Sequence, residues 1–153
     1  MVVRVLVIAG VLWVAAVVLA PLAIASRQPV LSIGAAGIYA AGAHVCHQRP
    51  DRCFWIQGRP MPVCARCTGL YASAAVAAPL ALFCAWGLSS RGARRVAAIA
   101  ALPTLITWAI EMAGLAHPSN IVRAIAALPL GFAVAWLVIS TCVHGPRPIH
   151  EKH

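Results

Sequence analysis

Hydrophobic and polar positions are arranged in long blocks along this chain, because extended apolar runs are separated by short polar stretches. Five such runs lie at about 5–25, 30–45, 70–88, 96–115 and 121–142. Each approaches the roughly 20 residues that an α-helix needs to cross the hydrocarbon core of a bilayer. A lone segment in lipid must satisfy its own backbone polar groups, so each run is predicted to be a helix. The pattern predicts an all-α integral membrane protein, a bundle of about five transmembrane helices.

The composition supports the same class. Of the 153 residues, 62% are hydrophobic and only 10% are charged, whereas soluble domains are roughly half apolar and a quarter charged. We expect one domain, 1–153, in the plasma (inner) membrane, multi-pass, with the lipid bilayer as its partner and a flexible tail at 143–153. The formal charge of +9 comes from basic residues in short loops, which anionic headgroups and the positive-inside bias explain. A nucleic-acid partner is not expected.

The first run has two interpretations. As a retained helix, 5–25 is the first membrane span. As a signal peptide, it would have Arg4, an apolar core and a cleavage site after Ala25. The apolar part is long for a signal peptide and Pro21 interrupts its end, so a retained helix is the favoured prediction.

The stretch from Cys46 to Cys67 carries most of the chemistry of the chain. It reads CHQRPDRCFWIQGRPMPVCARC and holds four of the six cysteines. The segments on either side of Gly58 predict a short hairpin in this loop, between the second and third helices. Such a hairpin would bring the CHQ end and the CARC end of the loop together.

A metal site is predicted where these two ends meet. The expected ligands are Cys46, His47, Cys64 and Cys67. Thiolates spaced C-x-x-C can share one tetrahedral ion, and zinc is the expected metal, with iron or copper as alternatives. Thr68 is predicted to cap the third helix, which places both CARC sulfurs beside the positive end of a helix dipole. Together with Arg66, this dipole favours thiolates.

The remaining cysteines and one further histidine are given lesser roles. Cys53 is expected to be a small residue where serine would serve, ahead of a fourth thiol ligand or a resolving thiol. His44 precedes His47 by three positions, hence lies on the same helical face, and is a reserve ligand. Cys84 and Cys142 lie too far along their helices to reach the loop and are predicted to be inert buried thiols.

A second polar cluster is predicted on the same side of the membrane. Glu111 is the only acid within an apolar run, and ionisable groups in such places are candidates for function. Arg123 lies early in the fifth helix, where a cation opposes the helix dipole, so Glu111 is its expected partner. The pair either fixes the helical hairpin or lines a cavity under the loop. The candidate catalytic residues are Glu111, Arg66 and Arg123. The candidates around the ligands or the cavity are Gln48, Arg52, Thr68, His117 and Asn120.

Five alternating crossings would place the N-terminus, the cysteine loop and the turn at His117 on one side of the membrane. Basic residues then divide almost evenly between the sides, so the positive-inside rule selects no orientation. Pro79, Pro103 and Pro129 lie near the middle of the last three runs and predict kinks. These kinks either serve ordinary packing or enclose a small polar cavity.

Three segments of the chain carry a resemblance to a known family. CHQRPDR, PMPVCARCTGLY and PSNIVR are similar to the signature of small bacterial integral membrane proteins of unknown function. That signature reads C-H-Q-x-P-x-R-S-F, a glycine-containing turn, C-A-R-C-T-G-x-Y and a later N-x-x-R. The resemblance marks Cys46, His47, Gln48, Pro50, Arg52, Cys64, Arg66, Cys67, Thr68, Gly69, Asn120 and Arg123. This chain has Cys53 where the family usually has serine, which agrees with leaving Cys53 out of the site. The resemblance implies no activity.

Three functions are compatible with these residues. The favoured prediction is metal binding, structural if all four ligand positions are filled and Lewis-acidic if His47 leaves one open. The second is a membrane thiol–disulfide oxidoreductase, with Cys64 as the attacking thiolate and Cys46 as its loop partner. The third is a non-catalytic assembly or ligand-binding component, in which the cysteines only hold the loop in its folded position. The sequence leaves open whether the protein is an enzyme.

Overall fold

Five α-helices and one β-hairpin form the described part of the chain. The computed structural model describes residues 2–84 and 90–144. The helices are α1 (Val2–Ala25), α2 (Pro29–Val45), α3 (Ala65–Cys84), α4 (Ser90–Met112) and α5 (Asn120–His144). A short 3-10 turn, Pro50–Arg52, and the strands β1 (Cys53–Ile56) and β2 (Arg59–Cys64) lie between α2 and α3. The predicted helical bundle and hairpin are confirmed.

Four of the described helices are long and apolar enough to cross a membrane: Val2–Ala25, Ala65–Phe83, Arg91–Met112 and Asn120–Val143. Helix α2 is apolar but has only 17 residues. The outward faces carry large exposed apolar side chains, such as Leu12, Phe83 and Ile99, as expected where lipid replaces water. The end of the predicted third span, 85–88, and residues 145–153 of the predicted flexible tail lie outside the described residues, whereas 143 and 144 belong to the last helix.

The packing of α1 sets the direction in which it runs. Near its start, Val7 packs with Ala81 and Ile139, which lie late in α3 and α5. Further along, Val17 packs with Met61 and Val63 of β2. Helix α1 therefore begins at the end of the bundle remote from the cysteine loop and runs toward the loop.

Helix α2 begins and ends on the loop side. It follows the C-terminal end of α1, and the hydroxyl of Tyr39 in its second half donates to the carbonyl of Pro60 in β2 at 2.6 Å. A helix of this length rises about 26 Å, but α2 does not carry the chain to the opposite end of the bundle. The expectation that the N-terminus shares a side with the loop is therefore wrong, because it assumed that every apolar run crosses the membrane.

Local contacts determine where α3, α4 and α5 begin or end. Helix α3 starts at Ala65 rather than near residue 70, because the last three residues of the CARC segment form its first turn. Thr68 lies inside that turn and donates its hydroxyl to the carbonyl of Cys64 at 3.1 Å, so it is not the cap. Helix α4 ends at Met112, and Gly114 follows at φ 68°, as at many helix C-termini. Ser119 caps α5, since its hydroxyl accepts a hydrogen bond from the N–H of Val122 at 3.3 Å.

Two glycines allow α3 and α5 to pack in close contact. A Cβ on Gly69 would overlap the backbone of Ala124, and a Cβ on Gly131 would overlap the carbonyl of Leu70. Small residues permit such close approach between helices in lipid. The contact holds the first turn of α3 beside the first turn of α5.

The hairpin turns through Gln57 and Gly58. Strands β1 and β2 are antiparallel, and both turn residues have positive φ, 49° and 72°, as a two-residue type I′ turn requires. Cys53 pairs in register with Cys64. The hairpin therefore returns the chain to the end of α2, where Cys46 lies.

Candidate functional site

Three cysteines meet at the loop end of the bundle. Cys46 follows α2, Cys64 ends β2 and Cys67 lies in the first turn of α3, and their sulfurs all lie within 4.8 Å of one another. The sulfurs of Cys64 and Cys67 are 3.5 Å apart. The backbone N–H of Cys64 donates to the sulfur of Cys46 at 3.1 Å. The two ends of the loop thus converge as the hairpin predicted.

Gln48 holds the turn that carries Cys46. Its side-chain amide donates to the carbonyl of Tyr39 in α2 at 2.7 Å and to that of Pro62 in β2 at 2.8 Å. Gly42 lets α2 approach this point, because a Cβ there would overlap the carbonyl of Pro62. The amide therefore ties the end of α2 to β2 and sets the position of Cys46 relative to the other two cysteines.

The surroundings of Cys64 favour its thiolate. The hydrogen bond from the Cys67 thiol lowers the pKa of Cys64 to about 5, aided by the Cys46 thiol and by backbone N–H groups and opposed by partial burial. Cys53 behaves in the opposite way, because burial raises the pKa of its thiol to about 11. Cys53 is fully buried, and its sulfur lies outside the group of three. One of the four loop cysteines is therefore kept neutral and apart.

The predicted imidazole ligands lie apart from the three sulfurs. His47 is exposed and lines the same cavity as the cysteines, but its ring nitrogens are not within the group of converging ligand atoms found among the described residues. His44 is exposed on α2.

Cys142 is exposed, so the prediction that it is buried is wrong: it lies on the outer surface of α5. The side chain of Cys84 lies outside the described part of the chain.

Glu111, near the end of α4, pairs with three arginines. Its side chain is only 4% exposed. One carboxylate oxygen, Oε1, lies 2.8 Å from Nη2 of Arg123 and 3.1 Å from Nη2 of Arg52, and Oε2 lies 2.8 Å from Nη2 of Arg66. The predicted Glu111–Arg123 pair is present. All four residues were predicted as site candidates, but their meeting at one carboxylate was not predicted. No local signal in the sequence marks this sharing, because the three arginines come from separate elements.

Asn120 connects this ion cluster to the hairpin. Its side-chain oxygen accepts a hydrogen bond from Nη1 of Arg123 at 2.8 Å, and its amide nitrogen donates to the carbonyl of Cys53 at 2.9 Å. The start of α5 is thereby held against β1. His117, in the turn before α5, is exposed and does not line the cavity beside the sulfurs, so the fold does not bring it to the site.

A cavity of about 310 Å³ joins the sulfurs to the arginines. It is lined by Val45, Cys46, His47, Arg49, Arg52, Cys64, Arg66, Cys67, Trp108 and Arg123. Val45, Arg49 and Trp108 were not predicted. Trp108 precedes Glu111 by three positions, and that spacing indicates the same helical face. Pro103 and Pro129 line a different cleft, which is apolar, so these prolines do not enclose the polar cavity.

The fold and the site define a helical membrane protein with a cysteine-lined polar cavity at one end. The chain belongs to the family described as "Predicted membrane protein (DUF2085)", which matches residues 46–137. It is similar to an uncharacterized protein of Methanothermobacter thermautotrophicus, 31% identical over 100 residues, 61% of this chain and 84% of that protein. It is also similar to an uncharacterized protein of Methanocaldococcus jannaschii, 30% identical over 112 residues, 67% of this chain and 66% of that protein. Both relatives are archaeal, whereas the sequence resemblance pointed to bacterial proteins. No solved structure matches this chain.

Proposed function

We propose that Cys46, Cys64 and Cys67 bind one metal ion, with zinc as the expected ion, at the loop end of the bundle. The mutual approach of the three sulfurs carries this proposal. In a tetrahedral site with zinc–sulfur distances of about 2.3 Å, neighbouring sulfurs are about 3.8 Å apart. The 3.5 Å separation of Cys64 and Cys67 and the 4.8 Å limit on the whole group bracket that value. Three sulfurs at such separations can therefore share one ion and occupy three of its four positions.

The chemistry of the donors fits the same ion. Metal ligands must be deprotonated, and the lowered pKa of Cys64, about 5, supplies a thiolate at neutral pH. The backbone N–H of Cys64 also donates to the Cys46 sulfur, which holds that sulfur beside the other two. Soft sulfur ligands select zinc, iron in clusters or Cu(I) over hard ions such as Mg²⁺.

His47 is the proposed fourth ligand. It follows Cys46 directly and lines the same cavity, although its ring lies outside the sulfur group. Closed four-ligand sites are structural, whereas three protein ligands with one open position are typical of catalytic zinc. At an open position a bound ion would supply Lewis-acid polarisation. Arg66, held by Glu111, would then orient an anionic group beside that position.

Elemental analysis of detergent-purified protein tests the proposal. The wild type is expected to hold about one ion per chain, and Cys64→Ser well below that, because a ligand is lost from a three-sulfur set. Cys53→Ser is the matched control, since Cys53 lies in the same loop but outside the group. A wild type with well under one ion per chain, or equal losses in both variants, would contradict metal binding.

Thiol–disulfide exchange is a second candidate, favoured by the 3.5 Å approach of Cys64 and Cys67. The Cys64 thiolate would attack a disulfide of a partner protein, forming a mixed disulfide and releasing the other partner sulfur as a thiolate. Cys67, after losing its proton, would then attack the Cys64 sulfur. This gives a Cys64–Cys67 disulfide and a second partner thiol, so two electrons pass from the pair to the partner.

The distribution of basic residues supports an outward-facing loop, where disulfides persist. Arg4, Arg91, Arg94 and Arg95 lie toward the end of the bundle remote from the loop, and Arg147 and Lys152 follow α5 in the sequence. On the loop side, the basic residues outside the Glu111 cluster are Arg27, Arg49 and Arg59. The positive-inside rule therefore favours the remote end as cytoplasmic.

Trapping and labelling together test this second candidate. Cys67→Ser should accumulate a mixed disulfide through Cys64, because the thiol that resolves it is missing, and Cys64→Ser should not. Arg59→Cys, at the exposed hairpin tip, should react with a membrane-impermeant maleimide added to intact cells. Labelling only after the cells are opened would place the loop in the reducing cytosol and exclude exchange with persistent disulfides.

A further inference from the structure

The cavity beside the cysteines has more positive than negative charge. Four of its lining residues are arginines: Arg49, Arg52, Arg66 and Arg123. Among the described residues, the acids that face them are Glu111, which pairs with three of them, and Asp51, which lies near Arg49 and Arg52 at 3.5 and 3.7 Å. Four guanidinium charges against two carboxylates leave +2. A thiolate at Cys64 reduces this excess to +1 and does not reverse it.

Part of this excess is held away from water. The side chains of Arg66 and Arg123 are only 14% and 9% exposed. Burying an unbalanced charge raises the free energy of the folded protein unless a counter-ion neutralises it. Within the described ranges, Arg66 donates only through Nη2, to Glu111, although a guanidinium has five N–H donors. The Nε–H groups of Arg52, Arg66 and Arg123 are buried and have no hydrogen-bond partner among the described residues.

We infer that this cavity binds an oxyanion of the phosphate type. Guanidinium groups match phosphate oxygens in geometry and charge better than any other side chain does. The volume of about 310 Å³ suits a small ligand or a headgroup. Trp108 and Val45, which are 51% and 56% exposed, form its apolar rim, and tryptophan is enriched at the membrane interface. The phosphate belongs either to a lipid headgroup or to a small soluble ligand. The inference requires no metal at the cysteines.

Two loop arginines provide a matched pair of variants for a binding test. Arg49 lines the cavity, whereas Arg59 is exposed at the hairpin tip and does not. Neither contacts Glu111, so Arg49→Gln and Arg59→Gln should both fold, and each removes one positive charge. Full-length protein in detergent is titrated with inorganic phosphate by calorimetry at constant ionic strength. In parallel, delipidated protein is mixed with phosphatidylglycerol or phosphatidylcholine, and retained lipids are counted by native mass spectrometry.

Saturable binding of at least one anionic probe is expected, weakened about tenfold in Arg49→Gln and less than about twofold in Arg59→Gln, as loss of one charged hydrogen bond implies. Binding of inorganic phosphate supports a soluble ligand. Retention of phosphatidylglycerol without phosphate binding supports a lipid headgroup. If neither probe binds, or if both variants weaken binding equally, the cavity is not an oxyanion site. Metal content is measured on the same samples. Because oxyanion binding requires no metal, failure of one proposal can then be distinguished from failure of the other.

Discussion

Glu111→Gln is expected to lower the free energy of unfolding by about 3–5 kcal/mol, because removing one partner of a buried ion pair leaves uncompensated charge. Three arginines converge on this carboxylate, whose side chain is 4% exposed. Glutamine keeps the shape but loses the charge, and its amide nitrogen would face a guanidinium donor. Thermal unfolding of the detergent-purified variant, with the yield of monodisperse protein, measures the effect.

Asp51→Asn is the matched control for this substitution. Asp51 also pairs with two arginines, but its side chain is 61% exposed, so its loss should cost less than about 1 kcal/mol. The double variant Glu111→Gln/Arg123→Gln should recover part of the loss, because it also removes one unpaired cation. Equal stability of Glu111→Gln and the wild type would show that the arginines do not depend on this carboxylate.

Gly69→Ala is expected to destabilise the bundle by about 1–3 kcal/mol or more, the range for inserting a methyl group where none fits. The added Cβ would overlap the backbone of Ala124, and a backbone cannot move aside by rotating a side chain. Helices α3 and α5 must then separate, which pulls Arg66 away from Arg123 at their first turns. Thermal unfolding measures the loss, and metal content reports any displacement of Cys67.

Gly37→Ala provides the comparison for Gly69→Ala. Gly37 lies within α2, and a Cβ there would meet nothing within 4 Å, so alanine should be neutral or stabilising by up to about 1 kcal/mol through helix propensity. Destabilisation by both variants to the same degree would mean that the loss does not arise from the α3–α5 contact.

Features with local signals were predicted from the sequence, whereas arrangements that depend on long-range packing were not. The hairpin was predictable because a glycine turn between two short apolar segments is a local pattern, and it placed Cys46 near Cys64 and Cys67. The sharing of Glu111 was not predictable, because Arg52, Arg66 and Arg123 come from three separate elements. Gln48 was marked by the family signature, but its role in tying α2 to β2 depends on contacts with Tyr39 and Pro62.

The sequence by itself determined that this is a helical membrane protein with a cysteine-bearing hairpin between its second and third helices, because hydropathy, length and turn chemistry act over short stretches of chain. Only the tertiary structure decided that α1 starts at the end remote from the loop and that α2 stays on the loop side. It also decided that three arginines form ion pairs with one glutamate beside the sulfurs. Hydropathy records how well a segment tolerates lipid, but it carries no information on which surfaces of distant segments fit together.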